Sequence, residues 1–145
     1  MGDRGNIVVS DGQNPPVFLY SHWTGSDLPK ILQQALKRGK GRWGDAPYLT
    51  RIIFSEMIKD DVLAETGYGI STSITDNENN ILLVDDDKRV VKVFHYKSWI
   101  DKFDDMEVMA EFTYKEYVEL NFYGFDAYSC TWKVDKSGRL IHEEE

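Results

Sequence analysis

Lys37-Arg38-Gly39-Lys40-Gly41-Arg42-Trp43-Gly44 brings four cations, three glycines and an indole into eight consecutive residues. Guanidinium groups pair bidentately with phosphate, an indole stacks on a base, and glycine lets backbone N–H groups approach a ligand. The stretch runs straight into a predicted helix N-terminus, where orphan N–H groups and the helix dipole favour an anion. The expectation is a site for a small anionic, nucleotide-like ligand. Lys40 and Arg42 hold phosphate, and Trp43, Trp23 or Tyr48 stacks. Arg51 is offset from Tyr48 by a spacing that puts both on one helical face. No Lys-Ser/Thr pair follows the last glycine, so this is not a P-loop. The plain alternative is a solvated connector whose Lys37 and Arg38 close the preceding helix.

His22-Trp23 ends a predicted strand before Thr24-Gly25-Ser26-Asp27. His22 could donate to an anion in the same pocket, or Trp23 could staple the sheet to a helix, with His22 at the rim. Arg51 and Glu56 could each reach a ligand or serve a structural ion pair.

Other patterns carry less chemistry. Gly67-Tyr68-Gly69-Ile70-Ser71 lacks the third glycine of a dinucleotide fingerprint and is not a nucleophile elbow. Asp85-Asp86-Asp87 reads as a solvated turn. Asp76-Asn77-Glu78-Asn79-Asn80 has Ile81 where an EF-hand requires Gly. His22, His95 and His142 are far apart, so no metal is expected. Cys130 sits in a predicted strand and reads as a structural thiol. No nucleophile with a base is recognisable, and no cofactor is expected.

The elements that must position these residues follow from period and punctuation. Asn6–Ser10 and Val17–His22 read as strands joined across Asp11–Pro16. A helix follows, with Ser26 or Asp27 as cap, Pro29 in its first turn, Leu28, Ile31, Leu32, Ala35 and Leu36 on one face, and Gly39 at its end. Asp45 caps a second helix carrying Leu49, Ile52, Ile53 and Met57 to about Lys59. From Gly67 the period changes to two, which turns Tyr68, Ile70, Thr72 and Ile74 inward. Ile81–Val84 and Val90–Phe94 form a hairpin around Asp85–Arg89. Phe94–Asp101 and Phe112–Glu119 share a pattern that reads as a repeated strand-to-helix junction, with Thr113 and Glu116 in a capping box. Ala127–Val134 and Arg139–His142 suggest a terminal hairpin, with Glu143–Glu145 frayed.

The whole, 145 residues without a linker, reads as one α+β domain. Its sheet is mixed or mainly antiparallel, with two main helices packed on one face. There is no apolar run long enough for a bilayer and no signal segment at the start, and one cysteine cannot form an internal disulfide. The cytosol is the expected compartment, and no membrane is a partner. The net charge of −8 is unevenly spread. Residues 1–51 hold seven Lys/Arg and four Asp, which leaves ten basic and twenty-one acidic residues for the rest. Such a body repels bulk nucleic acid. Its acidic part suits a basic host protein, as an imitation of nucleic acid would.

Five segments carry a resemblance: Gly5–Val9, Tyr20–Trp23, Arg42–Asp45, Tyr48–Phe54 and Thr66–Ser71. Across Gly5–Asp85 the chain resembles a family of small bacterial and phage proteins of uncharacterised activity. The resemblance implies a bacterial or phage accessory protein and supplies no catalytic residues. A phage or prophage counter-defence protein that sequesters a signalling nucleotide fits the first expectation. The others are an acidic interaction protein that inhibits a host protein and a hydrolase of a phosphorylated or nucleotide substrate.

Overall fold

β1 (Gly5–Ser10) and β2 (Val17–Ser21) form the expected antiparallel hairpin, with Ile7 opposite Leu19 and Val9 opposite Val17. The structure is a computed structural model that describes residues 2–74, 77–95 and 108–120. Cys130, His142, the terminal hairpin and the first copy of the repeated junction beyond His95 lie outside the described residues.

After the hairpin come α1 (Leu28–Arg38), α2 (Ala46–Ile58), β3 (Tyr68–Ser71), β4 (Ile81–Asp85), β5 (Val90–Phe94), β6 (Val108–Thr113) and α3 (Tyr114–Val118). The strands make one mixed sheet in the order β3-β2-β1-β4-β5-β6. β1 and β4 are parallel, and each other neighbouring pair is antiparallel. The protein is α+β.

Both main helices lie on the same face of the sheet. Leu32, Ala35 and Leu36 of α1 and Leu49, Ile53 and Met57 of α2 share one buried cluster with Ile7, Val9, Leu19, Leu82, Val84 and Val91. Each large side chain buried this way contributes about 1.5–3 kcal/mol. Ile52 is turned partly toward α1, where it lies beside Gly39. The opposite face of the sheet buries Val8, Phe18, Ile81, Leu83 and Phe94.

α3 is tied to α1 in both directions. The Gln33 side chain donates to the Tyr117 and Leu120 carbonyls at 3.0 and 2.8 Å, and the Tyr117 hydroxyl donates to the Pro29 carbonyl at 2.7 Å. At the other end of α3, Thr113 and Glu116 form the expected capping box.

Three local expectations are corrected. Neither Asp27 nor Asp45 makes a side-chain cap bond. The Asp3 carboxylate instead accepts the Ser26 amide at the turn that opens α1. β3 is shorter than its alternation suggested, because Ser71 Oγ accepts the Ser73 amide and bends the chain. Ile74 then packs against the opposite face of the sheet. Ile70 stays on the helix side at the sheet edge, where it is 64% exposed and not buried.

Candidate anion-binding surface

The basic connector is built by helix ends. Gly39 closes α1, its N–H donating to the Ala35 carbonyl at 2.8 Å, and the chain passes at once into a 3-10 turn at Lys40–Arg42. The Arg42 amide donates to the Gly39 carbonyl and the Asp45 amide to the Arg42 carbonyl. The Gly44 amide donates to the Asp86 carboxylate at 2.9 Å. These backbone donors already have partners inside the protein.

Asp86 holds the connector just before α2. It is 5% exposed, and its Oδ1 accepts the Tyr114 hydroxyl at 2.8 Å as well as the Gly44 amide. Burial first, and then the Asp86 charge, push the Tyr114 phenol far above its usual range. Asp86, with Asp11, Asp45 and Asp87, lines a cleft of about 640 Å³ at the start of α2. The acidic turn is therefore not wholly solvated, since its middle carboxylate points inward. A signal for this was present: the period of two through Leu82 and Val84 reaches Asp86 next, on the helix side.

Trp43 serves the fold. Its Nε1 donates to the Leu36 carbonyl at 3.1 Å, and its ring stands edge-on to Tyr114 at 5.2 Å between centroids. The Lys40 ammonium lies 5.9 Å from the same indole. The exposed aromatic surface is instead Tyr48, 56% accessible, with the Arg42 guanidinium 4.8 Å from its ring centroid. Arg42 also lies 3.4 Å from the Asp45 carboxylate. Arg51 follows Tyr48 on the same face of α2, exposed, and among the described residues no carboxylate pairs with it.

Glu56 is used elsewhere. It pairs with Arg38 at 3.1 Å and with Lys59 at 2.9 Å. Arg38 is further fixed by the Ile52 carbonyl and Ser55 Oγ. Of the connector's four cations, Arg42 stands on the Tyr48 surface, Lys40 lies by the Trp43 indole, and Arg38 joins the two main helices.

His22 and Trp23 lie at the far end of the sheet. The Asp3 amide donates to the His22 carbonyl, whereas the Asp86 amide, next to Gly44, donates to the Ser10 carbonyl. The length of β1 and its flank separates the two places, roughly 20 Å at ~3.3 Å per residue. His22 Nδ1 is bonded to the Tyr20 hydroxyl at 2.9 Å, and its ring meets Trp23 edge-on at 4.3 Å. The two aromatic groups do not join the basic connector in one pocket.

No family model, no curated protein and no solved structure matches this chain. The resemblance to small bacterial and phage proteins therefore rests on its quoted residues alone. Among the described residues no three His, Cys, Asp or Glu side chains could hold a metal ion together, and no helix is long and apolar enough to cross a membrane.

Proposed function

We propose that this chain is a non-enzymatic binding protein for a small anionic, nucleotide-like ligand, held by Lys40, Arg42, Tyr48 and Arg51. The observation that carries it is the Arg42 guanidinium stacked on the exposed Tyr48 ring, with exposed Arg51, which has no carboxylate partner among the described residues, on the same face of α2. A planar cation on an aromatic face offers a base a stacking surface and a phosphate a bidentate partner. Lys40, Arg42 and Arg51 are exposed cations on a body of net charge −8, where a local positive charge draws an anion. The setting we infer is the cytosol of a bacterial cell. Sequestering a signalling nucleotide there, in a phage or prophage counter-defence role, needs binding without turnover.

The test is a thermal-shift screen of nucleotides and inorganic phosphate against the whole protein. A ligand at a hundred times its Kd adds about 2.7 kcal/mol of stability. The expected result is a shift in the wild type that Arg42→Ala reduces clearly, with the nucleotide recovered intact. No shift, or the same shift in both proteins, overturns the proposal. Hydrolysed nucleotide moves the protein to the hydrolase class.

A further inference from the structure

The edge of the sheet at β3 carries an apolar surface that the anion site does not use. Among the described residues β3 pairs with β2 alone. The bond from the His22 amide to the Gly67 carbonyl sets the phase of the ladder. Hydrogen-bonded pairs alternate along an antiparallel ladder, so Gly67, Gly69 and Ser71 face β2. Tyr68 and Ile70 therefore turn their N–H and C=O groups outward.

Beside those groups runs a groove of about 310 Å³, with Phe54, Ile58, Val62 and Ile70 on its walls. Ile70 is 64% exposed, Val62 62% and Leu63 93%. A contiguous exposed apolar surface next to open ladder positions is what strand addition uses: backbone bonds supply affinity, and grooves for alternate side chains supply choice. Charge selects the occupant. Asp60, Asp61 and Glu65 flank Val62 and Leu63, all of them exposed. The nearby Lys59 is engaged by Glu56. A second copy of this chain would bring two such carboxylate sets together around a shared edge, and like charges opposed across an interface are unfavourable.

We infer that β3 accepts an extended segment of a partner protein as an added strand. The segment carries on one face, at alternate positions, apolar side chains that enter the groove and Lys or Arg that meet Asp60, Asp61 and Glu65 on the same side of the sheet. This surface is separate from the Arg42–Tyr48 surface, and its success or failure leaves the anion reading untouched.

The test uses the whole protein and a fluorescent nine-residue peptide that carries Val and Lys on one face, with Thr at the positions between, followed by anisotropy and amide hydrogen exchange. The peptide should bind saturably and slow exchange at Tyr68 and Ile70, while Gly69 and Ser71 are protected with or without it. Ile70→Pro removes an outward N–H, the position where an edge strand tolerates proline. It should weaken binding by about tenfold or more, on the scale of a lost hydrogen bond and apolar contact. Asp60→Lys with Glu65→Lys, both on exposed positions, should weaken it without changing the fold. Several results overturn the inference: no binding, equal affinity for a Val/Glu peptide, or binding that leaves Tyr68 and Ile70 exchange unchanged. A self-associating protein whose dimer protects those two amides overturns it as well, since the occupant is then a second copy.

Discussion

The Gly44 amide and the Tyr114 hydroxyl both donate to Oδ1 of Asp86, at 2.9 and 2.8 Å. One buried carboxylate thus fixes the connector before α2 to the first residue of α3. It joins residues 42 and 28 positions away in the chain. Hydrogen bonds to a charged group contribute about 1.5–3 kcal/mol each. Asp86→Ala should therefore destabilise the protein by at least about 2 kcal/mol in urea denaturation. Tyr114→Phe should lose less than that. The two effects should fall short of additive in the double variant, because each substitution removes the same Tyr114–Asp86 bond. Independent, fully additive losses would show that Asp86 does not link the two elements.

Gly44 is held at φ +90, where a side chain is strained whatever space surrounds it. The Arg89 guanidinium also lies where its Cβ would go, but that end of the arginine can move aside. Gly44→Ala should cost about 1–3 kcal/mol through the backbone, while Gly41→Ala, which meets nothing within 4 Å, should be nearly silent. Equal melting temperatures for all three proteins would remove the strain from the account.

Asp11 organises the first hairpin turn by accepting the Gln13 amide at 2.8 Å and both the Asn14 amide and side chain at 2.7 Å. The Asn14 backbone bond leads in lowering its carboxyl from 3.8 to about 2. The shift is downward, so the turn's stabilisation is present above the unfolded value and is lost as pH falls through about 2. A carboxyl titration followed by NMR should show that midpoint. A midpoint near 3.8 would mean that the bonds do not persist in solution.

What was legible in the sequence was local and periodic. Ile53 could be placed on a buried helix face because Leu49 and Met57 repeat at helical spacing, and Thr113–Glu116 because a capping box is complete within four residues. Asp86 was not legible as a structural acceptor. The period of two through Leu82 and Val84 turns it inward, but its donors come from two remote segments that no local pattern links to it. Ile70 was misplaced because alternation tells which face a residue takes, but not whether any helix reaches that far across the sheet. His22 and Trp23 were grouped with Arg42 by chemistry alone, and only the strand register shows that β1 lies between them.

Ile53 is fully buried in the cluster that joins α2 to the sheet. Ile53→Asp places a charge there with no partner, a change that exceeds the stability of most domains of this size. The variant should be unfolded by circular dichroism at room temperature. Melting like the wild type would sink the placement of α2.

Arg42 and Tyr48 decide whether the stacked pair binds a ligand or simply covers the end of α2. Both are exposed, so neither substitution should move the melting temperature of the unliganded protein by much. Trp43→Ala serves as the contrast. It removes the bond to the Leu36 carbonyl and the packing against Tyr114, so it should lower stability whether or not a ligand exists. If the pair binds a nucleotide, Arg42→Ala should weaken calorimetric affinity by about 1.5–3 kcal/mol, the contribution of a charge-assisted hydrogen bond. Tyr48→Ala should weaken it by about 1–3 kcal/mol, as loss of a stacking face does. Arg42→Lys keeps the charge but loses the planar fork, so it should recover only part of the affinity. Raised salt should reduce the Arg42 contribution more than the Tyr48 contribution, because screening acts on charge and not on stacking. Wild-type affinity in both alanine variants would make the pair a surface contact and the connector a plain link between two helices.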